Sequence, residues 1–334
     1  MIQRFIILIT LFVLSLPACS SQTQNASGYK DAPAVEIHRF DKALLQWLES
    51  GDDAQKKVLT DDYYQMLDLT GKGILNVQTP EREDFFTKLS FYYSEPTLRG
   101  LYRDAVSNFE NTDDMEKTLG QAFAFLKDVF PQSQIPALYM HVSGFNQNVL
   151  VGDSALSLSI DKYLGAEYPL YKEFFPDYDR RKMSKEFAVV DYIAGWLMSE
   201  FPFSGKENVL LDQMIYYGKI YYIVSLALPE VSIADILGYT AEDWQWCVDN
   251  EKILWKNIIT RKHLYTPDNT TTQKYFSNRP CTFLADKAPG NLGIWVGIRI
   301  VEKYIGETKA SPSALMNAMP EAAQEFLSAS KYRP

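Results

Sequence analysis

The sequence predicts a mostly helical α+β fold, with a small antiparallel β-meander at about 135–160 and a helical C-terminal half. Three observations predict it. Apolar residues recur at helical spacing through most of the chain. Between Ile135 and Ile160 alone the period drops to two. No internal repeat or Pro/Gly-rich linker divides residues 35–334, so they read as one globular domain.

In chain order, the first element is not part of that domain. Arg4 supplies a positive start, and Phe5–Leu16 is a run of twelve residues interrupted only by Thr10 and Ser15. A membrane-spanning helix needs about 20 apolar residues, so residues 1–18 read as an export signal and not as an anchor. Leu16-Pro17-Ala18-Cys19 then fits a lipobox, with a branched residue at −3, a small one at −1 and a thiol at +1 to carry diacylglycerol. Cys19 is therefore the expected lipid attachment site. Residues 19–34 are small, polar and without apolar period, which predicts a flexible tether. Ser20 follows the cysteine with no acidic run behind it, so the expected location is the periplasmic face of the outer membrane.

Within the domain, Val35–Arg39 alternates like a short strand and leads into a helix at Asp41–Leu48, with Asp41 as its cap. Helical periods follow at Thr60–Leu69, Glu83–Tyr93, Thr97–Phe109 and Asp113–Phe130, until Pro131 and Pro136 break the pattern. Ala137–Val142, Asn148–Val151 and Ala155–Ile160 are the strands of the meander, joined at Ser143-Gly144 and Gly152-Asp153. Helices are expected again at Lys182–Glu200, Glu207–Leu228, Thr240–Leu264, Gly293–Ile305 and Pro320–Tyr332.

Composition narrows the function. The formal charge is −9, and losing Arg4 with the signal takes it to −10. A chain this acidic, without basic runs, has no electrostatic footprint for nucleic acid. Cys247 and Cys281 could pair in an oxidising compartment; Cys247 shares a helical face with Trp244, Leu254, Trp255 and Ile258, which suits a buried free thiol equally well.

Motifs that carry chemistry are sparse. His38, His141 and His263 are far apart, no His-Glu-x-x-His or Cys/His spacing supports zinc, and no phosphate-cradling loop or Gly-x-Ser-x-Gly elbow occurs. No metal, cofactor or catalytic residue is therefore expected. Glu186 and Asp191 lie five apart on one helix, and Asp191 interrupts an apolar stretch, as a buried acid would. Tyr216, Tyr217, Tyr221 and Tyr222 form a strip on the next helix. Asp153-Ser154-Ala155 at a hairpin turn resembles an Asp-Ser/Thr-apolar O-glycan sequon, with Ser154 as acceptor.

The most individual motif is Pro289-Gly290-Asn291-Leu292-Gly293-Ile294-Trp295-Val296-Gly297-Ile298-Arg299. Glycine inside a helix costs about 1 kcal/mol relative to alanine, so this spacing needs a packing or functional reason. Either the stripe packs against the domain's own elements or it meets a partner. Arg299, the only charge in the stretch, would need a carboxylate if buried, and Asp191 and Asp212 are the candidates.

These residues also carry a family resemblance. The chain resembles the gliding motility-associated lipoprotein B (GldB) family of the Bacteroidetes, from the lipobox almost to the end. The resemblance is densest beyond Leu210: Leu211-Asp212-x-Met214-Ile215-Tyr216-x-Gly218-Lys219, Leu228-Pro229, Gly238-Tyr239-Thr240, Trp246-Cys247-x-x-Asn250-Glu251-x-x-x-Trp255 and the glycine-rich helix. Ile298 stands where a second aromatic is expected, and Cys281 lies in the Pro280-Cys281-Thr282-Phe283 loop. The resemblance implies an envelope lipoprotein associated with gliding motility, without cofactor or enzymatic activity. It further implies a distant likeness to zincin-type peptidases. Lys185-Glu186-Phe187-Ala188-Val189 and Tyr217-Gly218-Lys219 stand where metal ligands would be wanted, so the scaffold would have lost its metal. The expectation is a non-enzymatic protein that binds other envelope proteins of motility or secretion machinery. The alternatives are a hydrolase using Asp191, Glu186 and Asp212, and a peptide-binding module in an old substrate groove.

Overall fold

The computed structural model describes residues 25–77, 79–318 and 323–334. The export signal and Cys19 lie outside these residues. The helices are α1 Phe40–Ser50, α2 Asp53–Asp62, α3 Tyr64–Thr70, α4 Phe85–Tyr92, α5 Pro96–Asn108 and α6 Asp113–Val129, followed after the strands by α7 Pro169–Phe174 and α8 Asp177–Arg180. Beyond these run α9 Lys185–Glu200, α10 Leu210–Ala227, α11 Ile233–Leu237, α12 Ala241–Thr260, α13 Asn269–Tyr275, α14 Leu292–Thr308, α15 Pro312–Asn317 and α16 Ala323–Ser330. The α+β class and the helical bias are as the sequence predicts.

The sheet differs from the expected meander. Strands β1 Ile37–His38, β2 Ala137–His141, β3 Val149–Val151 and β4 Ala155–Ser159 lie in the order β1-β2-β4-β3. β1 runs parallel to β2 and β2 parallel to β4, while β3 alone is antiparallel, to β4. The reason lies in side-chain burial. Every residue of β4 (Ala-Leu-Ser-Leu-Ser) is buried, so both faces are covered and the strand belongs in the centre. β3 is three residues long and exposes Val151, which suits an edge. Alternating polarity predicts strands, but not which neighbour each one takes.

Helix α9 packs on this sheet. A side chain at Gly195 would touch Leu156 and Val149, the Tyr192 hydroxyl donates to the Tyr139 carbonyl (2.7 Å), and the Trp196 indole donates to Gln134 (2.9 Å). Behind it, α10 packs on α9, α14 crosses α10, and α16 lies on α14.

Two local expectations are corrected. Residues 25–34 are not a free tether: Ala26–Tyr29 forms a short 3-10 turn docked on α6, and Ala26 is buried. Gly120 of α6 has no side chain where the Pro33 carbonyl comes in, and Val35 donates to the Glu116 carbonyl (3.1 Å). The segment looks polar in sequence because its contacts are mostly main-chain ones. Asp41 does not cap α1 either. It is fully buried in the first turn, held by the Arg39 guanidinium at 2.9 and 2.6 Å. Burial raises its pKa despite that partner.

Candidate functional site

The glycine-rich helix is interior. Leu292–Ile298, Ile300 and Val301 are buried, and so is Pro289 before them. Each glycine meets a different neighbour. A side chain on Gly290 would strike the Asn278 carbonyl, one on Gly293 would lie 2.6 Å from the Phe276 ring, and one on Gly297 would run into Met214 of α10. Trp295 is 1% exposed, so it fills the core and offers no surface anchor. The motif packs against the domain's own elements.

Arg299 does not reach Asp191 or Asp212. It donates to Glu251 of α12 (3.1 Å) and pairs with Glu302 one turn on, while the Tyr332 hydroxyl also donates to Glu251 (2.9 Å). The cause is helical geometry: position 299 turns out of the α10 crossing toward α12 and the C-terminus, where it remains half-exposed.

Asp191 sits in a different cluster. Its carboxylate accepts from the Tyr163 hydroxyl (2.6 Å), and Lys182 and Tyr221 share the surroundings. Burial raises the Asp191 pKa, and the tyrosine bond and the lysine charge hold it down in part. Burial likewise lowers Lys182, whose stem lies across Gly238 (φ +70°), a position where a side chain would come within 2.8 Å of it. Asp191, Lys182 and Tyr221 are each desolvated and only partly exposed. Asp179 borders the cluster and accepts from Asn278 (2.8 Å), which in turn accepts from Asn291 (2.8 Å).

The other candidate acids lie in separate settings. Asp212 accepts from the Lys206 backbone (2.9 Å) beside an open pocket of about 450 Å³, and Glu186 accepts from Ser184 (2.6 Å) at the start of α9. No bond joins either to Asp191. Ser154 is exposed on the β3–β4 turn, and its hydroxyl accepts from Gln65 (3.2 Å). Cys247 and Cys281 are both free and buried, and burial pushes both thiols up to about 12, far from a reactive thiolate. The tyrosine strip is half-buried, with Tyr216 against Phe203 and Tyr217 against Phe276.

One buried network escapes a reading by motif. His141 Nε2 faces the Gln147 carbonyl (3.2 Å), so it carries the proton and Nδ1 accepts from Ser157 (2.8 Å). Desolvation lowers the His141 pKa to about 4. Next to it, the Asp161 carboxylate accepts from the backbone N–H of Ser143 (3.2 Å) and Phe145 (2.8 Å) and from the Ser159 hydroxyl. The signal was present: Ser157, Ser159 and Asp161 fall at period two along one strand and its exit, on one face.

With this geometry in view, comparison with known families is decisive. The family model described as Gliding motility protein GldB matches residues 21–334. The chain belongs to the GldB family, a family of gliding motility lipoproteins. No curated protein and no solved structure matches it.

The residues that carry the GldB resemblance are largely internal. Gly218 and Gly297 form the α10–α14 crossing, Cys247 is fully buried, and Trp255 packs edge-on against Tyr332 at 5.0 Å. The likeness to zincin peptidases has no matching structure behind it. Among the described residues no group of three or more His, Cys, Asp or Glu could hold a metal ion. No helix among them is long and apolar enough to cross a membrane.

Proposed function

We propose that this GldB-family lipoprotein is anchored through Cys19 in the outer membrane, faces the periplasm, and works without catalysis by binding other envelope proteins of motility or secretion machinery. The observation that supports this reading best is how its side chains are spent. Its candidate acids are separated and hydrogen-bonded, whereas large apolar side chains stand in solvent: Phe91 is 79% exposed, Phe174 64% and Ile253 56%. Exposed aromatic and aliphatic side chains on a folded, acidic protein suit contact with a partner.

A hydrolase centred on Asp191 is the second reading. The raised pKa and the tyrosine partner of that acid favour it, and the lack of a second acid within bonding distance among the described residues weighs against it. The test is size. Mild-detergent extraction after brief cross-linking of intact cells should release the protein in a complex well above monomer mass. A monomer-sized species from cross-linked cells would contradict the reading.

A further inference from the structure

The loop after β2 holds two consecutive residues in the left-handed region, Gly144 (φ +66°) and Phe145 (φ +66°). Glycine adopts that conformation freely, but a bulky residue does so only where its surroundings enforce it. Here they do. The buried Asp161 carboxylate accepts from the N–H groups of Ser143 and Phe145, and the Tyr92 and Tyr93 hydroxyls donate to the carbonyls of Ser143 (2.7 Å) and Val142 (2.5 Å). The loop is thus fixed from beneath in a conformation its sequence would not choose.

What it presents is an aromatic platform. The half-buried Phe145 ring lies 5.2 Å from Phe175, 5.6 Å from Tyr171 and 6.2 Å from Phe174, and Phe174 is among the most exposed large apolar residues described. Into this group projects the Lys162 ammonium, 4.7 Å from the Phe175 ring centre and 5.4 Å from that of Phe145. Lys162 is half-buried and makes no hydrogen bond or ion pair with a described residue. The two acids whose charges it feels are occupied: Asp161 by the loop, Asp179 by Asn278.

We propose that Phe145, Phe174, Phe175 and Lys162 form a preorganised docking site for a segment of a partner protein that carries a carboxylate beside apolar side chains. The argument is complementarity. The rings supply apolar area, and a partly desolvated ammonium without a contacting carboxylate gains most from an incoming one, at a position fixed before binding. A bilayer is the poorer occupant, since one ammonium on a chain of net charge −9 does not attract an anionic surface. The site rests on the protein-binding reading above and adds the chemistry of the partner.

The test selects randomised octapeptides on phage against the full lipoprotein in nanodiscs. Enriched peptides should place Asp or Glu next to Leu, Ile or Phe. Lys162→Met, Phe174→Ser, or exchange of the peptide acid for its amide should each weaken binding at least tenfold. Phe174 is exposed, so its replacement leaves the fold intact. Enrichment no better than on empty nanodiscs, enrichment of peptides without an acid, or unchanged binding by both variants would overturn the site. If both variants also sit normally in the native complex, that failure falls on this site alone. Absence of any complex for the wild-type protein falls on the protein-binding reading instead.

Discussion

Gly218 of α10 and Gly297 of α14 meet backbone to backbone. A side chain on Gly297 would lie 3.2 Å from the Gly218 Cα, and one on Gly218 would lie 2.9 Å from the Gly297 Cα. Two of the stretches that carry the family resemblance therefore meet at one helix crossing, and their glycines mark a close approach inside the fold.

Alanine at either position must push the helices apart. Gly218→Ala and Gly297→Ala are each expected to cost about 1–3 kcal/mol, lowering the melting temperature by several degrees at about 2–4 °C per kcal/mol. Gly306 on the same helix has nothing within 4 Å of an added side chain, so Gly306→Ala should be neutral or slightly stabilising. Thermal melts of the three variants decide the point. Equal melting of all three would mean the crossing is not tight.

Arg299 ties α14 to α12 and to the C-terminus through Glu251 and Tyr332. Its half-exposed position limits the effect, and Arg299→Ala is expected to cost about 1 kcal/mol. It should also speed clipping of the C-terminal residues by carboxypeptidase. Lysine should restore only part of the protection, because an ammonium lacks the fork that holds two carboxylates at once. Unchanged clipping in Arg299→Ala would show that the tie is unimportant.

Much of this was legible in the sequence. Helices with a sustained apolar period, such as α6, α9 and α14, lie where the period places them. Short helices after loops, such as α7, α11 and α13, carry too few turns to show a period. The partner of Arg299 was not legible, because a lone charge in an apolar helix says that a carboxylate is needed, not which helix brings it. The Asp191 cluster was half legible: an acid amid apolar residues marks burial, but Tyr163 and Lys182 come from other elements. The Phe145 platform was not legible at all, since it depends on a backbone conformation imposed by an acid sixteen residues away.

The buried His141 makes stability depend on pH. Its folded pKa, about 4, lies below the ordinary 6.5, so the unfolded chain takes up the proton first. Stability from this residue is present above about pH 6.5 and is lost as pH falls toward 4, by on the order of 3 kcal/mol in full. Denaturant melts at pH 7.5 and 5.0 should show the loss in wild type and a smaller one in His141→Asn. An identical pH dependence in both would remove His141 as its source.

Cys19 is expected to carry the lipid. Metabolic labelling with a fatty-acid analogue should mark the wild-type protein and leave Cys19→Ala unmarked and soluble after cell lysis. Equal labelling of the two would end the assignment.

The central claim is that the protein acts by binding and not by chemistry. It is tested most directly by affinity purification from native membranes, run side by side for wild type and Asp191→Asn. Both should recover the same envelope proteins in the same near-stoichiometric amounts, since Asp191 makes an internal bond to Tyr163 and has no catalytic part in the account. The contradicting results are two: no envelope protein above the untagged control, or a protein that is scarce with wild type and accumulates on Asp191→Asn, as a substrate trapped on a disabled enzyme would.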